Sequence, residues 1–326
     1  MAKRKLQYVF GADTREVDKA FISVGKRLER TGKQVEAISK NMMKLASPMI
    51  AIGGYAAKIA LNYDDAMDTI AIKTGATGTA LKGLENDFKA LNTSAPVSME
   101  QVADVIGDLN TRLGLTGPQL QSMGSAMIDA ARMNKEEIGA MMTESTKAMN
   151  DWGVKASDGV RFMDMLFTAS QQTGISIANL STQLYKYGTP LRQLGFDTES
   201  TIATLSAFEK AGVNTELVMG SLRKALNTMA KNGIDLRGGL AGAIEQIKNT
   251  ESSSKAAAMA AELFGAKAGA DMAGAIREGR FEVEGLTTAL LNADGQIKRT
   301  AASTDGFAEQ CAQIARLTTW LQLLQS

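Results

Sequence analysis

The chain has 326 residues, of which 44% are apolar and only 5% aromatic, so a core has to be built from Leu, Ile, Val, Ala and 18 Met. It has no histidine, which removes the commonest general base and the commonest metal ligand, and its one cysteine, Cys311, excludes an internal disulfide. The net charge of +1 conceals an asymmetry: residues 1–47 carry eleven Lys/Arg against five Asp/Glu, a net of +6, which leaves −5 on the rest.

The basic start, Met1-Ala2-Lys3-Arg4-Lys5, is not followed by the apolar stretch of a signal peptide. Across residues 13–47 the positions Val17, Phe21, Val24, Leu28, Thr31, Val35, Ile38, Met42 and Leu45 alternate steps of four and three without a slip. That is a heptad seam, and it predicts a coiled-coil helix that must bury its stripe against following helices or against copies of itself. Thr31, the one polar member, is a candidate for setting register. The Lys/Arg excess reads as the solvated face of this helix, with no specific nucleic-acid site.

Pro48 interrupts the seam. Met49–Leu61 is apolar but holds Lys58 and falls short of the about 20 residues that cross a bilayer, so a buried or self-associating helix is expected. A turn at Thr74-Gly75-Ala76-Thr77-Gly78 leads to a polar helix reaching about Leu91, and Pro96 closes this region.

Four apolar ladders follow, each stepping by four, three and four along one helix face. They are Val102, Ile106, Leu109, Leu113; Ile138, Met142, Ser145, Met149; Leu180, Leu184, Tyr187, Leu191; and Val218, Leu222, Ala225, Met229. Each runs into glycine, an apolar residue and a polar one: Gly114-Leu115-Thr116, Gly153-Val154-Lys155, Gly195-Phe196-Asp197 and Gly233-Ile234-Asp235. The ladders begin 36, 42 and 38 residues apart, a period that predicts stacked helical hairpins. Return helices are expected at about 118–133, 158–172 and 198–211. Capping boxes are expected at Ser98/Gln101, Thr116/Gln119 and Asn134/Glu137. The glycine stops, with prolines at 48, 96, 118 and 190, forbid one continuous helix, so residues 96–237 should form a compact block. A polar linker at 249–254 precedes an Ala-rich helical stretch in which Gly265, Gly269 and Gly274 should let backbones approach.

The fold class is therefore all-α: an N-terminal coiled-coil helix followed by stacked helical hairpins. The expected division is 1–47 basic coiled coil, 48–95 apolar and connecting helices, 96–237 repeat domain, 238–310 Ala/Gly-rich helical segment, and 311–326 an atypical end.

Motifs that carry chemistry are incomplete in this chain. Gly78 and Gly83 have phosphate-loop spacing, but Leu84 stands where Lys is needed. Asn292-Ala293-Asp294-Gly295 resembles part of a calcium loop, yet the register puts Leu290 and Ala301 at positions that need carboxylates. Asp64-Asp65 and Glu136-Glu137 read as acidic residues near helix starts, complementing the helix dipole. Met42-Met43 and Met141-Met142 read as core, and Cys311 has no histidine to activate it. No catalytic residue, cofactor or metal site is expected.

Several segments, in order, resemble the N-terminal region of phage tail tape measure proteins: Asn62-Tyr63-Asp64-Asp65-Ala66-Met67, Lys73 through Gly78, Met99-Glu100-Gln101-Val102-Ala103, the repeated helix pairs, Glu262-Leu263-Phe264-Gly265, and Leu290 through Gly295. The likeness covers roughly residues 40–310. It implies a structural virion component of the tail interior, assembled in the host cytoplasm, around which tail tube proteins polymerise and whose length sets tail length. The partners it implies are the tail tube protein, tail tip or baseplate proteins and tail assembly chaperones, with self-association and a late membrane contact. Residues 311–326 depart from the family's continuing helix, and 315–326 within them read as a frameshifted or truncated end. The competing readings are a helical-repeat scaffold that docks a peptide and a membrane-active protein using Met49–Leu61.

Overall fold

The computed structural model describes residues 49–304, apart from Leu194, Ile234 and Asp235. The heptad seam from Val17 to Leu45 and Cys311 lie outside the described residues. Of the described residues, those from Ala66 onward make one compact unit. Among the described residues there are fourteen α-helices, a 3-10 turn at Ala156–Asp158 and no strand. The chain is all-α.

Helix α1 (Met49–Thr74) is followed by α2 (Gly78–Ser94), α3 (Met99–Leu113), α4 (Gly117–Asn134), α5 (Ile138–Trp152), α6 (Gly159–Thr173), α7 (Ile177–Gln193), α8 (Thr198–Lys210) and α9 (Thr215–Lys231). Helices α2 to α9 stack in two layers. The odd layer packs α3 on α5, α5 on α7 and α7 on α9, while the even layer packs α2 on α4, α4 on α6 and α6 on α8. The ladders form the odd layer. Val102, Ile106, Leu109, Ile138, Met142, Met149, Leu180, Leu184, Leu191, Val218 and Leu222 are all buried. Met141, beside Met142, is core as well.

The stop signals at Gly114, Gly153 and Gly195 work as read, and the structure supplies the reason. Gly153 donates its N–H to Asn150 and Val154 to Met149; Gly195 donates to Arg192 and Phe196 to Leu191. Both glycines are left-handed, at φ 61° and 88°. This six-to-one, five-to-two pairing satisfies the last carbonyls, and the apolar residue after the glycine turns inward, as buried Phe196 shows. Lys135 makes the same turn at φ 55° without being glycine.

Four expectations need correction. Ser98 and Gln101 do make a capping box, but Thr116 makes no side-chain cap. Glu137, not Asn134, caps α5, accepting the N–H groups of Gly139 and Ala140 at 2.8 and 2.6 Å. Asp64-Asp65 lie inside α1 rather than near its start. Pro190 does not interrupt its helix, since α7 continues to Gln193.

Helices α10 (Leu236–Asn249), α11 (Ser253–Phe264) and α12 (Gly269–Arg277) close the stack beyond α9, with α11 on α9 and α10 and α11 on α12. Of the three glycines expected to admit close approach, two do. A Cβ on Gly265 would sit 2.3 Å from the Ser221 hydroxyl, and one on Gly269 would sit 2.7 Å from the Ala261 Cα. Gly274 has nothing nearer than the Glu278 carboxylate at 3.8 Å. The last helices, α13 (Glu284–Leu291) and α14 (Gln296–Thr304), turn back over the even layer: α13 lies on α8 and α6, and α14 on α6 and α4.

Candidate functional site: the seams between repeats

The polar side chains that distinguish this stack lie between successive hairpins, and many are paired at the repeat spacing. Thr111 donates to the Lys73 carbonyl at 2.9 Å, Asn150 to the Arg112 carbonyl at 3.5 Å, and Thr189 to both oxygens of Asp151 at 3.0 and 3.2 Å, in each case across 38 residues. Thr182 donates to Glu144, and Arg161 to Glu199, across the same interval. Ser145, the polar rung of the second ladder, is fully buried and shares a hydrogen bond of 3.1 Å with buried Ser181 of the next repeat. A hydroxyl in an otherwise apolar face is thereby satisfied and fixes register.

Glycines and large side chains use the same seams. Trp152 at the end of α5 lies over Gly188 of α7, where a Cβ would come within 2.5 Å of the indole nitrogen. Its N–H donates to the Leu184 carbonyl at 3.4 Å, and the Arg192 guanidinium sits 5.1 Å from the ring centroid. Arg192 also donates to the Asp151 carbonyl at 2.5 Å. At the first seam the Lys73 stem fills the space over Gly107, and its ammonium reaches Asp104 at 2.8 Å and Asp108 at 3.3 Å. Burial works against the charge on Lys73, but the two carboxylates outweigh it and hold the ammonium above its ordinary value.

Carboxylates also cap helices that do not carry them. Asp87 of α2, 2% exposed, accepts the Gly117 N–H at 2.8 Å and the Gln121 amide at 2.7 Å, doing at the start of α4 what Thr116 does not. Glu136 accepts the N–H groups of Ile177 and Ala178 at 2.7 and 2.9 Å, capping α7 from the preceding repeat. So Glu136-Glu137 serve two helices, one each. Asp164, in the middle of α6 and 2% exposed, accepts the N–H groups of Gly295 at 2.7 Å and Ile297 at 2.9 Å, at the start of α14. Beside it, Arg161 bridges Asp294 at 2.6 Å and Glu199 at 3.2 Å, and those two partners raise its pKa. Burial pushes the Asp164 carboxyl up, against the two N–H groups that favour its charge.

The arrangement holds helices to helices. Among the described residues there is no group of three His, Cys, Asp or Glu that could hold a metal ion, and no helix long and apolar enough to cross a membrane. The Asn292–Gly295 segment is a docked turn with its glycine at φ 71°. Sequence reasoning missed Asp87, Trp152, Asp164 and Arg192. The available signals were an Asp inside the apolar run Phe162–Phe167 and polar pairs spaced 38 apart.

The sequence model of the phage-related minor tail protein family matches residues 85–266, more than half of the chain, from α2 to just past α11. The chain belongs to the phage-related minor tail protein family. Its similarity to the tape measure protein of Pneumococcus phage Dp-1 is 20% identity over 322 residues, covering 92% of this chain and 27% of that protein. This minor tail family member thus spans about a quarter of the length of the relative it matches. No solved structure matches it. The matched interval holds every seam from α3 to α9, so the family pattern and the clamped repeats occupy the same residues.

Proposed function

We propose that this chain is a tape measure-like structural component of a phage tail, a scaffold around which tail tube subunits assemble and which helps set tail length. The observation that carries the reading is the family match over 85–266, laid on a stack whose repeated geometry is helix-to-helix clamping. The partners that follow are the tail tube protein, tail tip or baseplate proteins and tail assembly chaperones, with the tail interior as the final location and the host cytoplasm as the place of assembly. No hydrolytic or transfer activity is assigned, in keeping with a chain that has no histidine. In this reading residues 96–237 are an anchoring block and residues 13–47 an oligomerising handle.

The test is a phage in which the segment encoding residues 96–237 is deleted in frame, with lysates imaged by electron microscopy. Absent tails, or tubes of uncontrolled length, are expected, with recovery when the intact chain is supplied in trans. Tails of normal number and length from the deletion would overturn the reading.

A further inference from the structure

Helices α6 and α8 are buried to an extent that the two-layer stack alone does not explain. In α6, Gly159 and every residue from Phe162 to Ser170 are buried; in α8, every residue from Thr201 to Phe208. A helix buried on all sides needs cover on both faces. The odd layer covers one face, and α13 and α14 cover the other. They bring Leu286, Leu290, Ala293, Ile297 and Ala301, all buried, across three even-layer helices.

The two ends of this cover are held differently. Upstream, Arg280 donates to the Ala211 carbonyl at 2.6 Å, and Phe281 stacks on Phe208 with ring centroids 5.0 Å apart and meets Phe264 edge-on at 6.2 Å. Three phenyl rings thus pin the chain at Phe281. Only Glu282 and Val283 separate this pin from α13, and Glu282 accepts the Gly285 N–H at 2.7 Å. Downstream, beside buried Ala293, Ile297 and Ala301, the fastening is a group of polar bonds: Asp164 to the N–H groups of Gly295 and Ile297, Arg161 to Asp294, and Gln296 to Gln171 at 3.2 Å.

We propose that α13 and α14 act as a strap that opens as one unit about Glu282–Val283, with Phe281 as the fixed pin and Asp164 as the latch. Closed, the strap ties α4, α6 and α8 together and sets the curvature of the even layer. Open, it uncovers the apolar outer face of α6 and lets successive hairpins shift against each other. The latch is the weaker end because its buried apolar side chains, Ala293, Ile297 and Ala301, are smaller than the three phenyl rings of the pin and the rest of its hold is a few hydrogen bonds in one place.

Hydrogen exchange on the full chain tests this. Asp164→Asn should raise exchange over residues 284–304 by about 10-fold or more while residues 262–281 keep their protection. In a Cys311→Ser background, Arg161→Cys with Asp294→Cys joined by a short bismaleimide should slow exchange over 284–304 below that of the same chain left unjoined. Unchanged exchange over 284–304 in Asp164→Asn, or an equal rise over 262–281, would overturn the strap. So would a cross-link without effect, and that arm decides the matter alone if Asp164→Asn does not fold.

Discussion

Asp164 accepts the backbone N–H of Gly295 at 2.7 Å although 131 residues separate them, so a carboxylate in the middle of one helix caps the start of another far along the chain. Replacing Asp164 by Ala leaves the N–H groups of Gly295 and Ile297 without their acceptor. At about 1–3 kcal/mol for each buried unsatisfied donor, a loss of about 2–4 kcal/mol is expected in urea unfolding followed by circular dichroism. A loss under about 0.5 kcal/mol would show that the cap contributes nothing.

Two glycine substitutions should have opposite signs. Gly220 lies within α9 with open space where a Cβ would go, so Gly220→Ala should stabilise by up to about 1 kcal/mol through helix propensity. Gly188→Ala has the same propensity gain but drives a methyl into the Trp152 ring, which Leu184 and Arg192 hold in place. Overpacking at about 1–3 kcal/mol should outweigh the gain and give net destabilisation. Thermal melts of the two variants beside the parent decide it.

Acid should weaken the cap on α5. Glu137 is held below its ordinary value of 4.5 by the N–H groups of Gly139 and Ala140. A depressed folded pKa means that the stabilisation is present above the unfolded value and is lost as pH falls through the folded one. The stability gap between the parent and Glu137→Gln should therefore be widest above about pH 5 and close toward pH 3. Asp164 runs the other way, because burial raises its carboxyl above 3.8. Its contribution through this shift is full below the unfolded value and declines as pH rises through the raised one. A gap for Glu137→Gln that stays constant from pH 3 to 6 would contradict the first assignment.

The seam at 13–47 predicts association. Leu28→Asp combined with Val35→Asp would bury charge in it, and self-association measured by light scattering should be lost. A parent and double variant of equal oligomer mass would count against the seam.

The odd layer was legible because each of its helices shows an apolar ladder and a glycine stop with an apolar residue after it. Those are local signals, set by i+3 and i+4 neighbours and by one left-handed residue. Helix α2 was read only as polar, since Leu84, Phe88 and Leu91 are spread among Lys82, Glu85, Asp87 and Lys89; yet all three are buried and α2 packs on α4. The caps were harder. Thr116 has a good local pattern, but Asp87, 30 residues earlier, serves Gly117 instead, and no local pattern reports a donor's distant partner. The return of α13 and α14 onto α6 was invisible for the same reason. Its trace is the apolar run around Asp164, which makes sense only once something covers both faces of the helix.

The pairing of residues about 38 apart makes length a matter of whole steps. An insertion or deletion of one complete hairpin keeps the spacing at which neighbouring hairpins face each other, whereas a fractional change breaks the bonds on both sides of it. Each whole step would add about 8–10 Å to the stack, the usual distance between packed helix axes. Helices α4 to α8 are exempt, because the strap reaches across them with a fixed span. The number of hairpins beneath it is therefore held constant, and growth or shrinkage in related chains should fall outside that interval.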